Sequence, residues 1–214
     1  MRRAFEIGGI FAAVVMIAFG TAAIVMGANG RSTVQANLLA QKIVGTPDMT
    51  PAGITAEAKT AGLNVATLAI PTCSVANVTV NSGSTARCFA QYMNIHALEA
   101  TGGLLYSQMP HYASANGKGT NVAAQATKGP GGQPLDNPAR DVWIQETALS
   151  TALNTSYMAE QISLFGIVVG IALLLSGFGF AILAVGGALR NPESAVKAVL
   201  THRPGAHTPA ATSV

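Results

Sequence analysis

The chain has 214 residues, of which half are hydrophobic and only 10% are charged. Soluble domains usually carry about 25% charged residues, so this composition predicts a protein in contact with lipid rather than an ordinary soluble one. The net charge of +3 is small, and the sequence has no basic stripe interleaved with aromatic side chains, which excludes nucleic acid as a partner.

The first predicted element is a transmembrane helix at residues 5–28, preceded by a cytoplasmic N-terminus at residues 1–4. The apolar stretch is long enough to cross about 30 Å of hydrocarbon. Arg2 and Arg3 give it the basic start of a signal peptide, but the stretch exceeds the 7–15 residues usual for one. We therefore interpret it as an uncleaved anchor, with a cleaved signal peptide as the alternative.

Residues 29–160 are predicted to form a small, mainly helical extracytoplasmic domain. A helix over 32–44 should continue directly from the first span, until Gly45 and Pro47 end it. A second helix should begin at Pro51, with Thr50 as its N-cap, and stop at Gly62.

The domain contains both cysteines of the chain, Cys73 and Cys88. Thiols outside the cytoplasm are oxidised, so this pair predicts one disulfide. A metal site is a poor alternative, because no further cysteine or close histidine completes a tetrahedral set. Between the cysteines, residues 75–80 are rich in β-branched side chains, which predicts one short β element, either a strand or one arm of a hairpin, followed by a turn at 81–84.

A third helix is predicted from a cap at Thr85 to about Thr101, where Gly102 and Gly103 end it. Helical spacing gives it an inward face of Cys88, Phe89, Tyr92, Met93 and His96. Residues 113–134 are rich in Gly, Pro, Asn and Ala, and this composition predicts a long surface loop.

The last helix is predicted to start at Asp136-Asn137-Pro138 and to run without interruption into a second transmembrane span at residues 161–189. If it is continuous to Leu189, about half of it should stand outside the bilayer. Its inward stripe in the outer domain is predicted to be Leu149, Leu153 and Tyr157.

Both spans carry faces of small residues that allow close helix packing. Such faces associate helices in lipid, although Gly and Ala are also simply common in membrane helices. We expect these faces to pack against helices of other integral membrane subunits or of a second copy. The residues are Gly9, Ala13 and Gly20 in the first span and Gly166, Gly170 and Gly177 in the second.

The distribution of cations predicts the orientation. Arg2 and Arg3 precede the first span and Arg190, Lys197 and Arg203 follow the second, whereas residues 29–160 hold seven basic and seven acidic residues. The positive-inside rule therefore predicts that both termini are cytoplasmic in a bacterial plasma membrane. The tail, 190–214, is expected to form a short surface helix to about residue 202 and then a disordered end.

Few residues suggest chemistry. His96 and Glu99 form an H-x-x-E pair that can bind a metal, but no third ligand is spaced nearby, and a histidine on an apolar helix face is more often a hydrogen-bonded core residue. His111 is expected in a surface loop. Trp143, the one tryptophan, could anchor a partner or pack on its own domain, and we retain Trp143, His96 and Glu99 as possible partner contacts. No catalytic residue, metal or cofactor is predicted.

The run from His96 to Gly103, HALEATGG, followed by Tyr106 and framed by two spans, resembles a family of actinobacterial two-pass membrane proteins. The resemblance covers about half the chain. Members often carry the automatic label of an aromatic ring-opening dioxygenase, which implies non-haem iron held by two histidines and a carboxylate. This sequence offers only His96, His111 and unplaced acids, so we do not carry that activity over.

The sequence favours a non-catalytic accessory or scaffolding subunit of a larger bacterial plasma-membrane complex, in contact with lipid and with other membrane subunits. No ionisable residue lies in the middle of either span, which argues against a transporter or proton relay. The alternative is an envelope sensing or ligand-binding module whose outer domain holds the site. An enzyme is the third and least favoured class.

Overall fold

A computed structural model describes residues 2–186, with side chains from Phe5 onward. It contains four α-helices: α1 (Arg2–Ala40), α2 (Pro51–Thr60), α3 (Gly83–Ala100) and α4 (Ala139–Val185). Three single 3₁₀ turns lie between them, at Val65–Thr67, Tyr106–Gln108 and Ala123–Gln125. The expectations for the end of the second span and for the tail at 190–214 lie outside the described residues.

Helices α1 and α4 are both long and apolar enough to cross a membrane. Only 11% of the most apolar stretch of α1, and 17% of that of α4, is buried inside the structure, whereas the core helix of a soluble protein would be mostly buried. Large apolar side chains are exposed along both, among them Phe11, Phe19, Val168, Leu175 and Ile182. The described residues thus form a mostly helical protein with two candidate spans.

The chain divides into two compact units. One contains the described parts of Met1–Met26 and Gly166–Val214, and the other is Gly27–Phe165. Helices α1 and α4 each contribute to both units. We describe the first as the span unit and the second as the helical unit.

In the span unit, α1 and α4 approach closely where both helices lack side chains. A Cβ atom added at Gly170 would lie 2.7 Å from the carbonyl oxygen of Gly20, and one added at Gly20 would lie 2.8 Å from that of Gly170. Two turns further along α4, a Cβ at Gly177 would lie 2.8 Å from Ile17 and 3.1 Å from the carbonyl of Ala13. These glycines therefore hold the two helices of one chain together, as small residues do in lipid.

The core of the helical unit forms around α3, because one face of this helix carries large apolar side chains. Tyr92 of α3 and Ile54 of α2 are fully buried. Leu153 of α4 and Leu38, near the end of α1, are buried in the same core. The buried members are Leu38, Met49, Ile54, Ala58, Val75, Val80, Ala86, Cys88, Phe89, Ala90, Tyr92, Ile95 and Leu153.

The predicted disulfide is confirmed. Cys73 and Cys88 are bonded, with their Cα atoms 6.1 Å apart. The disulfide links the irregular segment before α3 to the first turns of that helix. The Tyr92 hydroxyl makes a second contact with the same segment by donating a hydrogen bond of 2.6 Å to the Cys73 carbonyl.

The helix ends follow local capping chemistry. Thr50 caps α2 as expected: its side chain accepts a bond from the Gly53 N–H, and Pro51 occupies the first helical position. The cap of α3 is not Thr85 but Ser82, because the two side chains form a reciprocal capping box that starts the helix earlier, at Gly83. Gly102 (φ +61°) then ends α3 as predicted.

The short strand expected at residues 75–80 does not form, and no strand occurs anywhere in residues 2–186. The segment makes two isolated bridges instead, Val44 with Thr79 and Gly45 with Ala76. Asn77 adopts a positive φ of 57°, which breaks the extended run in the middle. The β-branched side chains Val75 and Val80 are still buried, so the core uses their apolar surface without a strand.

The other expected boundaries shift by a few residues. Helix α1 ends at Ala40, short of Val44, and Lys42 follows with a positive φ of 53°. Two isolated β-bridges, from Tyr112 to Thr120 and from Tyr112 to Asp136, hold the loop at 113–134. Helix α4 begins at Ala139, directly after the predicted start at 136–138, and the Ala139 N–H donates a hydrogen bond to the Asn137 side chain.

Candidate functional site

The most distinctive group of polar side chains surrounds His96. Helix α3 presents His96 and Glu99 one turn apart, and the His96 Nδ1 atom lies 2.9 Å from Glu99 Oε2. Asp48, in the loop before α2, places Oδ2 3.1 Å from His96 Nε2. Glu57 of α2 places Oε2 4.0 Å from Nδ1. We call these four residues the His96 cluster.

Local structure explains how the α1–α2 loop delivers Asp48. Met49, next to it, is buried in the core and anchors the loop. The Asp48 carbonyl accepts a 2.6 Å hydrogen bond from the Thr50 N–H and packs against the backbone at Gly53, where a Cβ atom would collide with it. The lack of a side chain at Gly53 therefore lets the loop fold onto the start of α2 and direct Asp48 toward α3.

The cluster has more negative than positive charge. It combines three carboxylates with a single imidazole, and His96 forms its ion pairs only with these carboxylates among the described residues. Asp48, His96 and Glu99 are largely buried, with 19%, 25% and 15% of their side-chain surface exposed. Partial burial weakens solvent screening, so the repulsion among these carboxylates is stronger than at an open surface.

Two oxygens of the cluster are shielded from solvent and form no hydrogen bond, Asp48 Oδ2 and Glu99 Oε1. Asp48 Oδ2 lies within ion-pair distance of His96 Nε2, but the two atoms lack the alignment of a hydrogen bond. Nearby, burial raises the pKa of the Tyr92 phenol, and the negative charge of Asp48 adds to that increase.

The cluster corrects one sequence-based expectation, that His96 has no third ligand nearby. Atoms of Asp48, Glu57 and His96 that could bind a metal all lie within 4.8 Å of one another. Asp48 and Glu57 are distant from His96 in sequence and belong to no recognisable motif. Their spacing in the sequence therefore does not predict that they lie near His96. Only the packing of α2 on α3 brings them together.

His96 also lines a cavity of about 230 Å³, whose other walls come from α3 and α4. Glu146 is buried at its wall and accepts a hydrogen bond of 2.7 Å from the Ser150 hydroxyl. The remaining walls are mostly apolar, formed by Met93, Ala97, Val142, Gln145 and Leu149.

The second histidine of the unit does not join the cluster. His111 lies in the loop beyond the Tyr106–Gln108 turn, where its backbone N–H donates to the Asn121 side chain and its ring lies near that of Tyr112. A site built from two histidines and a carboxylate, as the dioxygenase label implies, is therefore absent from residues 2–186.

Trp143 packs within the unit. Its indole is buried, its Nε1–H donates to the Leu104 carbonyl at 2.8 Å, and it forms a small core with Ala97 and Met109. Trp143 also lines an open, mainly apolar groove of about 540 Å³. We call this groove the α4 groove. It is lined by Tyr106, Trp143, Ile144, Thr147, Ala148 and Thr151.

The six small residues predicted for helix packing differ in how closely they approach the other helix. Gly20, Gly170 and Gly177 lie at the close contact between α1 and α4, with Ala13 buried beside Gly177. Gly166 makes only an ordinary contact, 3.7 Å from the carbonyl of Ala23. Gly9 is buried. The face expected to meet another subunit is thus used largely within the chain.

No protein-family model, characterised protein or solved structure matches this chain.

Proposed function

We propose that this protein crosses a bacterial plasma membrane twice and serves as a non-catalytic accessory subunit of a larger membrane complex. Helices α1 and α4 anchor it, and the helical unit, on the extracytoplasmic side, docks a helix of another integral membrane subunit. The resemblance of the HALEATGG segment to an actinobacterial membrane family is consistent with this cellular setting.

The exposed apolar surface of the span unit supports the membrane assignment. Phe11, Phe19, Leu175 and Ile182 are each about two-thirds exposed or more. Transfer of such side chains from water to hydrocarbon releases about 25 cal/mol per Å² of apolar surface, so lipid is a far better solvent for them than water. The Gly20–Gly170 contact fits a hairpin of two packed spans.

The proposed topology predicts the accessibility of introduced thiols. The native cysteines are bonded, so only the new thiol can react. We expect Asn116→Cys, at an exposed loop position, to react with a membrane-impermeant maleimide in intact cells. Ser213→Cys should react only after the membrane is permeabilised, because the cationic tail favours the cytoplasm. The reverse labelling pattern would contradict the orientation.

The observation that carries the docking proposal is the α4 groove. Trp143, Thr147 and Thr151 form one row at four-residue spacing, and Ile144 and Ala148 form the next. Such rows are the ridges between which a second helix packs. The small side chains in the middle leave room for its backbone, and the larger ones at one end, Ile144 being 54% exposed, offer apolar contact area.

The docking proposal predicts the effect of a charge in this groove. Ala148→Arg should weaken association with the partner subunit about tenfold or more, equivalent to about 1.4 kcal/mol, because it places a cation and its bulk between the ridges. The measurement is quantitative mass spectrometry of membrane proteins that co-purify in mild detergent. A photo-crosslinking residue at Ile144 should also give one defined adduct that Ala148→Arg abolishes.

Ala56→Arg is the matched control. Ala56 is an exposed alanine on another helix, α2, and it does not line the groove. This variant should retain wild-type co-purification and crosslinking. Equal behaviour of the two arginine variants would contradict docking in the groove.

The His96 cluster favours a second candidate function, an envelope module that binds a ligand in its helical unit. Its charges and its two buried oxygens without a hydrogen bond are features that a docking scaffold does not require. In this alternative, Ala148→Arg has no effect and the variants at His96 have the larger one.

A further inference from the structure

We propose that the His96 cluster is a binding site for one divalent transition-metal ion of the zinc or manganese class. Asp48, Glu57 and His96 would be the ligands, and Glu99 would orient the imidazole. This inference goes beyond the proposed accessory function and does not depend on it.

The tautomer of His96 gives the first argument. Glu99 Oε2 lies 2.9 Å from Nδ1, and a carboxylate can only accept, so Nδ1 carries the proton. In the neutral imidazole, Nε2 then presents a lone pair on the side where Asp48 Oδ2 lies 3.1 Å away. Two electron-rich atoms at this distance repel each other unless a proton or a metal ion lies between or beside them.

A proton on Nε2 does not account for this geometry, because the Nε2–Asp48 pair lacks hydrogen-bond alignment and leaves Asp48 Oδ2 without a donor. Ligands of one metal ion behave differently, since they lie close together without bonding to one another. Atoms about 2.1 Å from a tetrahedral ion are about 3.4 Å apart. One possible ligand atom from each of Asp48, Glu57 and His96 lies within 4.8 Å of the other two. Glu57 Oε2, which lies 4.0 Å from His96 Nδ1, has to rotate toward the Nε2 side to join Asp48 on the ion.

The charge balance gives a second argument. Asp48, Glu57 and Glu99 bring three negative charges against at most one positive charge on His96. Two of these carboxylates are largely buried, where unpaired charge is costly. A divalent cation would neutralise this excess.

The donor set indicates the class of metal. An imidazole nitrogen with two carboxylates suits zinc and manganese, whereas magnesium and calcium prefer oxygen ligands alone. The Glu99–His96 contact has the form of a carboxylate–histidine–metal triad, in which the outer carboxylate fixes the ring and strengthens the nitrogen as a ligand. The Glu57 side chain is 49% exposed, so the ion can enter from solvent at this edge.

Direct metal binding tests the proposal. The full chain, purified in detergent and treated with a chelator, should bind about one Zn²⁺ or Mn²⁺ per chain in titration calorimetry and in metal analysis after dialysis. Bound Zn²⁺ should also raise its melting temperature, since the ligands come from separate segments that unfolding would part. Mg²⁺ and Ca²⁺ should not bind measurably.

Variants distinguish the ligands from their surroundings. His96→Gln and Asp48→Asn should weaken Zn²⁺ binding at least tenfold, and Glu99→Gln, a positioning change, should weaken it about 10-fold to 100-fold. Glu57→Gln, at the exposed edge, tests a ligand with the least risk to folding. His111→Gln is the matched control and should bind as the wild type does. Absence of stoichiometric binding, or equal affinity in Glu57→Gln and His111→Gln, would overturn the proposal.

Discussion

Replacement of both cysteines, Cys73→Ser with Cys88→Ser, is expected to lower the free energy of unfolding of the helical unit by about 3 kcal/mol. A disulfide that closes a loop of about 15 residues removes that much conformational entropy from the unfolded chain in the chain-entropy model. The segment that it holds also carries the carbonyl bonded by Tyr92. Denaturant titration followed by the fluorescence of buried Trp143 measures the change.

Reduction of the wild-type protein provides the control. It should shift the unfolding midpoint in the same direction and to a similar extent as the double serine variant, and it should have no effect on that variant. Before reduction, thiol labelling under denaturing conditions should find no free cysteine. An unchanged midpoint in both experiments would show that the disulfide does not stabilise the unit.

The second large effect is expected in the span unit. Gly170→Leu should separate α1 from α4, because even a Cβ atom at this position would lie 2.7 Å from the Gly20 carbonyl oxygen and from Ile24. Overpacking of this kind typically costs about 1–3 kcal/mol. Insertion should remain normal, since leucine favours the bilayer. A distance measurement between spin labels at the exposed positions Val14 and Phe178 in liposomes would detect the separation.

Gly179→Leu is the matched control, because nothing lies within 4 Å of a Cβ atom at that glycine. It adds the same side chain to the same helix and should leave the label distance unchanged. Equal distances in the two leucine variants would contradict the Gly20–Gly170 contact. A loss of partner co-purification in Gly170→Leu alone would show that the proposed accessory function requires the packed hairpin.

Features that depend on local chemistry or on long composition patterns could be predicted from the amino-acid sequence. Uninterrupted apolar length specifies the two candidate spans. Thr50 and Pro51 specify the start of α2, because the cap and the first-turn proline act within four residues. The disulfide also followed from sequence, since Cys73 has no other cysteine to pair with than Cys88.

Contacts between residues that are distant in sequence could be identified only from the folded chain. The glycine faces were visible in the sequence, but the same periodicity suits a partner's helix and the chain's own, and only the Gly20–Gly170 contact distinguishes them. Residues 75–80 have strand propensity, yet an isolated segment with no neighbouring strand has no ladder to join, and Asn77 turns it instead. The His96 cluster depends most on tertiary structure. Asp48 and Glu57 lie far from His96 in sequence, and the burial of Met49, Ile54 and Tyr92 brings the three side chains together.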